Sequence, residues 1–215
     1  MNTWAVVPIK PLDRAKSRLG AVLSASQRAE LVRCLFQHTL QVLCGWEALS
    51  GIVVVSASLE VREVCDLRGV LFLPETEAID LNRSLESARQ MVLQKSADCL
   101  MIVAGDIPGL NRPSLRRLLN RAENGRQVVI APDGEQQGTN VMVLTPPGLI
   151  PFCYGPGSFQ QHQQQAGTIQ ASFDCVLDAS LSFDVDTPSD LEILHEQYAG
   201  QFLIQTIWQN STKGN

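Results

Sequence analysis

Short, almost wholly apolar runs alternate along this chain with stretches whose apolar residues recur at helical spacing. The predicted strands are residues 4–9, 52–56, 70–73, 99–104, 128–131, 140–144, 169–173 and 175–177. The predicted helices are residues 26–44, 59–67, 80–94, 113–122, 159–166 and 187–198. Because fully apolar strands must be covered on both faces, this alternation predicts an α/β fold: a single domain with a mostly parallel central sheet flanked by helices.

The size and composition of the chain limit its function classes. It has 215 residues, of which 45% are hydrophobic and 18% charged, so it can bury an ordinary core without disulfides or structural metal. We expect one domain over residues 1–200 and a tail over residues 201–215 that is disordered at its polar end. A net charge of −5 argues against a nucleic-acid binder. The apolar runs are too short to span a bilayer, and no signal peptide is recognisable.

The cysteines and histidines form no recognisable catalytic or zinc-binding arrangement. None of the six cysteines lies in a C-x-x-C pair or at zinc spacing from a histidine. There is also no H-E-x-x-H motif and no Ser-His-Asp or Cys-His set. We therefore predict buried free thiols in a cytoplasmic protein.

A basic loop follows the first predicted strand. The loop contains one acidic residue, Asp13, and four basic ones: Lys10, Arg14, Lys16 and Arg18. It therefore carries a charge of +3, while the rest of the chain carries −8. A triphosphate would balance this charge, since Lys supplies a compact point charge and Arg a bidentate fork. The alternative is a solvated loop in which Asp13 pairs locally. Neither a P-loop nor a G-x-G-x-x-G motif is present.

Three aspartates stand out at two distant points of the chain. Asp106 ends the most apolar strand, where the carboxyl edge of a parallel sheet binds ligands, although an aspartate there can also simply form a turn. Asp184 and Asp186 are two residues apart, so in extended backbone they point to the same face. Thr187 and Asp190 are predicted to cap the last helix. Asp184 and Asp186 are not needed for the cap and are free to bind Mg²⁺ or Mn²⁺ together with substrate phosphates.

Two turn-rich segments offer hydroxyl groups and backbone amides. Thr139 follows a glycine that permits close backbone approach, and Ser158 is predicted to cap a helix after Gly155 and a second glycine. A helix N-terminus of this kind is suited to an anion, although each segment can equally be an ordinary turn with a cap. His162, one turn into that helix, is expected either at the surface or facing the same pocket.

Taken together, these motifs suit transfer of a nucleotidyl group, in which positioning and charge neutralisation do most of the catalysis. Segments 7–19, 105–108, 131–140, 155–158 and 184–191 also resemble the CofC/FbiD guanylyltransferases of coenzyme F420 biosynthesis. The resemblance implies a nucleotidyltransferase fold of the MobA-like, GT-A-related type. It implies transfer of GMP from GTP to a phosphorylated carboxylic acid, with release of pyrophosphate. The acceptors of the family are 2-phospho-L-lactate, phosphoenolpyruvate and 3-phospho-D-glycerate.

The resemblance also implies roles for individual residues. Asp106, Asp184 and Asp186 would bind the divalent metal, Mg²⁺ or Mn²⁺. Lys10, Lys16 and Arg18 would bind the GTP phosphates, and Lys16, Arg18 and Asp106 would act in catalysis. Thr139, Gly155 and Ser158 match the acceptor-binding positions. Asn82 would contact the nucleotide, although Asp80 stands where the family pattern has a glycine.

The expected partners are the small-molecule substrates and the next enzyme of the pathway, which would receive the product. If the chain associates with itself, we expect a homodimer. Two alternatives remain open: a related nucleotidyltransferase that uses molybdopterin or a sugar phosphate as acceptor, and an inert α/β module that binds a nucleotide without turnover. The sequence does not distinguish among the three phospho-acids, because one hydroxyl or methyl group changes binding by only a few kcal/mol.

Overall fold

The computed structural model describes residues 1–12, 16–75, 80–123 and 125–198. Within them, seven strands form one sheet, seven helices surround it, and a single 3₁₀ turn spans Ser17–Ala21. The strands are β1 (Thr3–Pro8), β2 (Gly51–Ser56), β3 (Leu71–Pro74), β4 (Cys99–Val103), β5 (Gln127–Pro132), β6 (Thr139–Thr145) and β7 (Ser172–Cys175). The helices are α1 (Ala25–Leu43), α2 (Leu59–Arg68), α3 (Leu81–Gln94), α4 (Arg112–Arg121), α5 (Ser158–Thr168), α6 (Ala179–Ser182) and α7 (Pro188–Tyr198).

Most predicted elements match the observed ones to within two residues at each end. The two short strands predicted at 169–173 and 175–177 are wrong, because the chain forms a single strand there, β7. Ile169 still belongs to the end of α5, where its amide donates to the carbonyls of Gln165 and Gly167. The 3₁₀ turn and α6 were not predicted, since both are too short to show helical periodicity. Arg14 of the basic loop and the predicted tail at 201–215 lie outside the described residues.

The sheet is parallel except for one strand. Its order is β3-β2-β1-β4-β6-β5-β7, and β6 runs antiparallel to both of its neighbours. The reason is local: residues 133–138, which join β5 to β6, are too few for a crossover connection, so the two strands form a hairpin. The start of β6 therefore lies at the same edge as the carboxyl ends of the other six strands.

Alternate residues of the strands pack on opposite faces of the sheet. Ala5 and Val7 of β1 belong to a core cluster that includes α1, α2 and α4, whereas Val6 packs with α3 and α5. This two-sided burial explains why the strands are apolar throughout. The expected α/β class with helices on both faces is confirmed. Among the described residues, no helix combines the length and the apolar character needed to cross a membrane.

A third buried cluster fixes the segment just before α7. Leu19 of the 3₁₀ turn, Leu31 of α1 and Leu191 of α7 pack around Val185, which is fully buried. Asp190 caps α7 as predicted, since its carboxylate accepts hydrogen bonds from the amides of Asp186 (2.9 Å) and Thr187 (2.6 Å). The 3₁₀ turn at the end of the basic loop and the acidic segment are thus anchored in one cluster.

Candidate active site

A cavity of about 470 Å³ opens at the carboxyl edge of the sheet, within the size range of small-molecule sites. It lies where the ends of β1, β2, β3 and β4 meet the start of β6. Its polar lining comes from residues at these strand ends and from two of the loops. The polar side chains that line it are Lys10, Lys16, Glu75, Asp106, Thr139, Tyr154 and Asp186.

Three aspartates from distant parts of the chain meet at this edge. Asp106, Asp184 and Asp186 each offer a carboxylate oxygen, and these oxygens all lie within 4.8 Å of one another. Asp106 follows β4 through Gly105, where a Cβ would lie 1.9 Å from Cδ1 of Ile9. Glycine thus lets the two strand ends approach closely. The predicted convergence of these three side chains is observed.

The other two aspartates are oriented by the residue between them. Val185 is fully buried in the third core cluster. Because consecutive side chains of extended backbone point to opposite sides, Asp184 and Asp186 are directed away from that core and toward Asp106. A buried valine between two aspartates is therefore the local pattern that builds this part of the site.

Lys16 makes the closest contacts with this cluster. Its Nζ donates to Asp106 and, at 2.7 Å, to Oδ1 of Asp186, and its side chain is only 6% exposed. Its backbone is left-handed, with φ of 54°, a conformation that costs free energy for a residue with a Cβ. Lys10 and Arg18 are exposed, and both lie close enough to Asp186 to lower its pKa. Three cations of the basic loop, Lys10, Lys16 and Arg18, therefore lie near the carboxylates, as predicted.

The charges at this site are only partly balanced. Burial, followed by the charges of Asp106 and Asp186, raises the pKa of Asp184 to about 6. Burial alone would also raise the pKa of Asp186, but Lys16 and the other cations outweigh it, so that pKa is lowered. In the same way, the pKa of Lys16 is raised, because the two carboxylates outweigh the effect of its burial. The cluster thus holds three carboxyl groups, and the one ammonium group in direct contact with it, that of Lys16, touches two of them, Asp106 and Asp186.

The donor set fits a divalent cation. Oxygen ligands from two or three carboxylates, supplemented by substrate phosphates, are what Mg²⁺ and Mn²⁺ use in phosphoryl-transfer sites. The excess of two negative charges over Lys16 and the raised pKa of Asp184 both indicate a site that an added cation would stabilise. Lys16 contacts two of the three carboxylates, so the ion would share them with its ammonium group or displace it.

A buried hydrogen-bond network lies behind Thr139, the one of its members that lines the cavity. The hydroxyl of Ser158 donates to Oγ1 of Thr139 (3.2 Å), which also bonds to Nδ1 of His162 (3.1 Å). The amide of Phe159 donates to the carbonyl of Gln137, which holds the start of α5 against the β5–β6 hairpin. The structure therefore brings together Thr139 and Ser158, which are 19 residues apart in sequence.

One prediction about this segment is wrong, and for His162 the structure decides between two alternatives. The N-cap of α5 is Gly157 (φ 69°), not Ser158; Ser158 is the first helical residue, and its hydroxyl turns to Thr139 instead. His162 is fully buried rather than at the surface. Its Nε2 accepts a hydrogen bond from the Cys153 amide (2.9 Å), so in the neutral ring Nδ1 carries the hydrogen and donates it to Thr139. Burial lowers the pKa of His162 to about 4.

Gly155 lies in the loop before α5, and Asn82 of α3 holds that loop in place. Gly155 has a φ of 136°, which favours glycine. The side-chain amide of Asn82 bridges the backbone of the preceding residue, Tyr154, accepting from its N–H (2.7 Å) and donating to its carbonyl (3.0 Å). Asn82 is thus engaged with this loop, and contact with a nucleotide could use its second Nδ2 hydrogen or the second lone pair of its Oδ1.

The sequence reasoning did not single out two polar residues of the cavity, Glu75 and Tyr154. Glu75 immediately follows β3 and lines the cavity, and its carboxylate accepts a hydrogen bond from the buried hydroxyl of Ser84 on α3. Its position, the first residue after a parallel strand, is the signal that could have identified it.

Comparison with known proteins now adds to this geometry. The family model described as "Guanylyl transferase CofC like" matches residues 3–206. The chain belongs to the CofC guanylyltransferase family. A phosphoenolpyruvate guanylyltransferase of Rubrobacter xylanophilus is 37% identical over 202 residues, covering 94% of this chain and 98% of that protein. A 2-phospho-L-lactate guanylyltransferase of Methanothermobacter thermautotrophicus is 32% identical over 197 residues, covering 91% of this chain and 86% of that protein.

Solved structures agree with this fold. A candidate nucleotide-diphospho-sugar transferase from Desulfovibrio desulfuricans G20 superposes with a TM-score of 0.79 at 17% identity, covering 99% of this chain and 96% of that one. A nucleotidyl transferase from Methanothermobacter superposes with a TM-score of 0.66 at 16% identity, covering 93% of this chain and 98% of that one. The predicted family and nucleotidyltransferase-type fold are confirmed. The match of this CofC-family chain runs to residue 206, and the predicted domain boundary at 200 stays a prediction.

Proposed function

We propose that this CofC-family protein transfers GMP from GTP to a small phosphorylated carboxylic acid, releasing pyrophosphate, as a step in coenzyme F420 biosynthesis. The observation that carries the proposal is one cavity in which Lys16, Asp106 and Asp186 face Thr139. Cations for a triphosphate, carboxylates for a metal and hydroxyls for an anionic acceptor are thus side by side. The family's names for its members supply the reaction class and the three acceptors.

The order of the strands gives the order of the substrate groups. β1, which leads into the cationic loop, neighbours β4, which ends at Asp106, and β4 neighbours β6, which begins at Thr139. Adjacent strands are about 4.8 Å apart, so the three points lie within about 10 Å along the edge. The triphosphate would lie at β1 and the acceptor at β6, with the α-phosphate between them.

In this arrangement an oxygen of the acceptor's phosphate attacks the α-phosphorus of GTP in line. The new P–O bond forms as the bond from the α-phosphorus to the oxygen bridging the α- and β-phosphates breaks, and that electron pair leaves with pyrophosphate. Lys10, Lys16 and Arg18 offset the charge that develops on the leaving group. No protein base is needed, because a phosphate monoester is largely dianionic at neutral pH.

Asp106, Asp184 and Asp186 would hold the divalent ion, Mg²⁺ or Mn²⁺. Bound there, the ion would neutralise phosphate oxygens and orient the triphosphate. Thr139, Gly155 and Ser158 would bind the acceptor. The partners are then small molecules, with the product passing to the next enzyme, and the six free thiols support a cytoplasmic location.

The first experiment incubates the wild-type protein with GTP, MgCl₂ and each of the three phospho-acids. Pyrophosphate release would be measured, and the guanylylated product would be identified by mass, with the next enzyme present to trap a labile adduct. Turnover with one or more of these acids is expected. GTP binding without pyrophosphate release would show an inert module, and turnover only with molybdopterin or a sugar phosphate would show a different acceptor class.

Two variants test the assigned residues. Asp106→Asn should abolish turnover while circular dichroism stays unchanged, whereas Asp66→Asn, which alters an exposed carboxylate of α2, should leave turnover intact. An active Asp106→Asn protein would remove the metal role. Ser158→Ala should raise the KM of the acceptor more than that of GTP, and a defect confined to GTP would refute the acceptor assignment.

A further inference from the structure

Glu75 is the one cavity-lining carboxylate outside the aspartate cluster in the described residues. It is held at two points. Its amide donates to the carbonyl of Ser56 at the end of β2 (2.9 Å), and its side chain accepts from Ser84 of α3. Ser84 is 5% exposed, and its hydroxyl is closer to the Glu75 carboxylate than to its other acceptor, the carbonyl of Asp80 (3.4 Å). The carboxylate is therefore oriented before any ligand arrives, which makes it suited to recognition.

Its place in the sheet separates it from the phosphate chemistry. β3 lies three strands from β4, the strand that leads to Asp106. At about 4.8 Å per strand this is about 14 Å along the edge, the scale of an extended nucleoside triphosphate. With the triphosphate at the cationic loop and the metal, the nucleoside would extend toward β2 and β3. A carboxylate there repels phosphate and attracts the hydrogen-bond donors of a base.

Resting on the proposed GTP-dependent function, we propose that Glu75, oriented by Ser84, selects guanine. Guanine presents two adjacent donors, N1–H and the N2 amino group, which match the two oxygens of a carboxylate. Adenine presents an acceptor, N1, beside a C–H, so the same carboxylate would oppose it. Leu81, from the first turn of α3, also lines the cavity and offers an apolar surface for the ring.

The experiment measures kcat/KM for GTP, ITP, ATP and 2′-deoxy-GTP with wild type, Glu75→Gln and Ser84→Ala. ITP retains N1–H but lacks the N2 amino group, so the GTP/ITP ratio reports that single contact. Glu75→Gln should reduce the preference for GTP over both ITP and ATP, by roughly 10- to 100-fold for ATP. Ser84→Ala should change these ratios in the same direction by less. Glu63→Gln, on the exposed side of α2, is the matched control and should leave them unchanged.

The inference would be overturned if Glu75→Gln kept the wild-type ratios of kcat/KM for GTP over ITP and for GTP over ATP. A change confined to the ratio of GTP to 2′-deoxy-GTP would also overturn it, because it would place the carboxylate at the ribose. If Glu75→Gln fails to fold, Ser84→Ala carries the same test. Calorimetric affinities for the four nucleotides are measured in parallel. If wild type binds GTP more tightly than ITP, and Glu75→Gln loses that preference, but no acceptor is turned over, the proposed reaction fails and the inference stands. If the acceptors are turned over but Glu75→Gln keeps the wild-type base selectivity, the proposed reaction stands and the inference fails.

Discussion

His162 should make the stability of this protein depend on pH in a defined direction. Its ring is fully buried, and burial lowers its pKa to about 4, whereas in the unfolded chain the pKa is near 6.5. Because the folded-state pKa is depressed, the unfolded chain takes up the proton first. The stability from the neutral ring is fully present above pH 6.5 and is lost as the pH falls toward 4.

The size of this effect follows from the difference between the two pKa values. A gap of about 2.5 pH units, at about 1.4 kcal/mol per unit, corresponds to about 3.5 kcal/mol in the free energy of unfolding. Most of it should be lost by pH 4.5. Asp184 acts in the opposite sense over a similar range, because its pKa is raised to about 6, so its contribution grows as the pH falls through 6. The total pH profile therefore does not isolate the histidine, and a variant is needed.

The measurement is urea denaturation of wild type and His162→Gln at pH 8 and pH 4.5. Glutamine removes the titrating ring, so at pH 8 the variant should be less stable by about 1–3 kcal/mol through its lost hydrogen bonds. At pH 4.5 the difference should move by about 2.5 kcal/mol in favour of the variant, which closes or reverses the gap, because only wild type loses the histidine's contribution. His195→Gln, which changes an exposed histidine of α7, reports the effect of removing a surface histidine. A stability gap that is independent of pH would refute the reasoning.

Three further predictions address packing, the acceptor loop and the charge cluster. Gly109→Ala should lower the free energy of unfolding by about 1–3 kcal/mol, because its Cβ would lie 2.5 Å from a backbone carbonyl of α6, whereas Gly148→Ala, with open space around it, should change little in the same urea titration. Asn82→Ala should raise the acceptor's KM by about 10-fold, since two hydrogen bonds to the loop before α5 are lost; a rise confined to the KM of GTP would favour a nucleotide contact instead. Lys16→Met should have a lower Tm than wild type in EDTA, and adding Mg²⁺ should raise the Tm of the variant more than that of wild type, because the ion replaces a missing positive charge. An equal rise in Tm for both proteins would contradict this.

The sequence was sufficient for the elements of the fold because burial leaves a periodic record. Strands covered on both faces are apolar at every position, and the helices of the two covering layers show apolar residues at helical spacing. The same logic located Asp106, since a polar residue directly after a buried strand lies at the ligand-binding edge. The pair Asp184 and Asp186 was identified by its two-residue spacing, which the buried Val185 explains.

What the tertiary structure alone decided was which side chain bonds to which. The sequence predicted that Ser158 caps a helix, but the hydroxyl is drawn to Thr139 across the β5–β6 hairpin. It left open whether His162 lies at the surface or faces the pocket, and packing buries the ring against Thr139, which lines the cavity. It also gave no sign that Ser84 would hold Glu75. These pairings join residues from separate elements through one or two hydrogen bonds. Local periodicity records whether a side chain is buried, but it carries no information about its partner, which depends on how distant elements pack together.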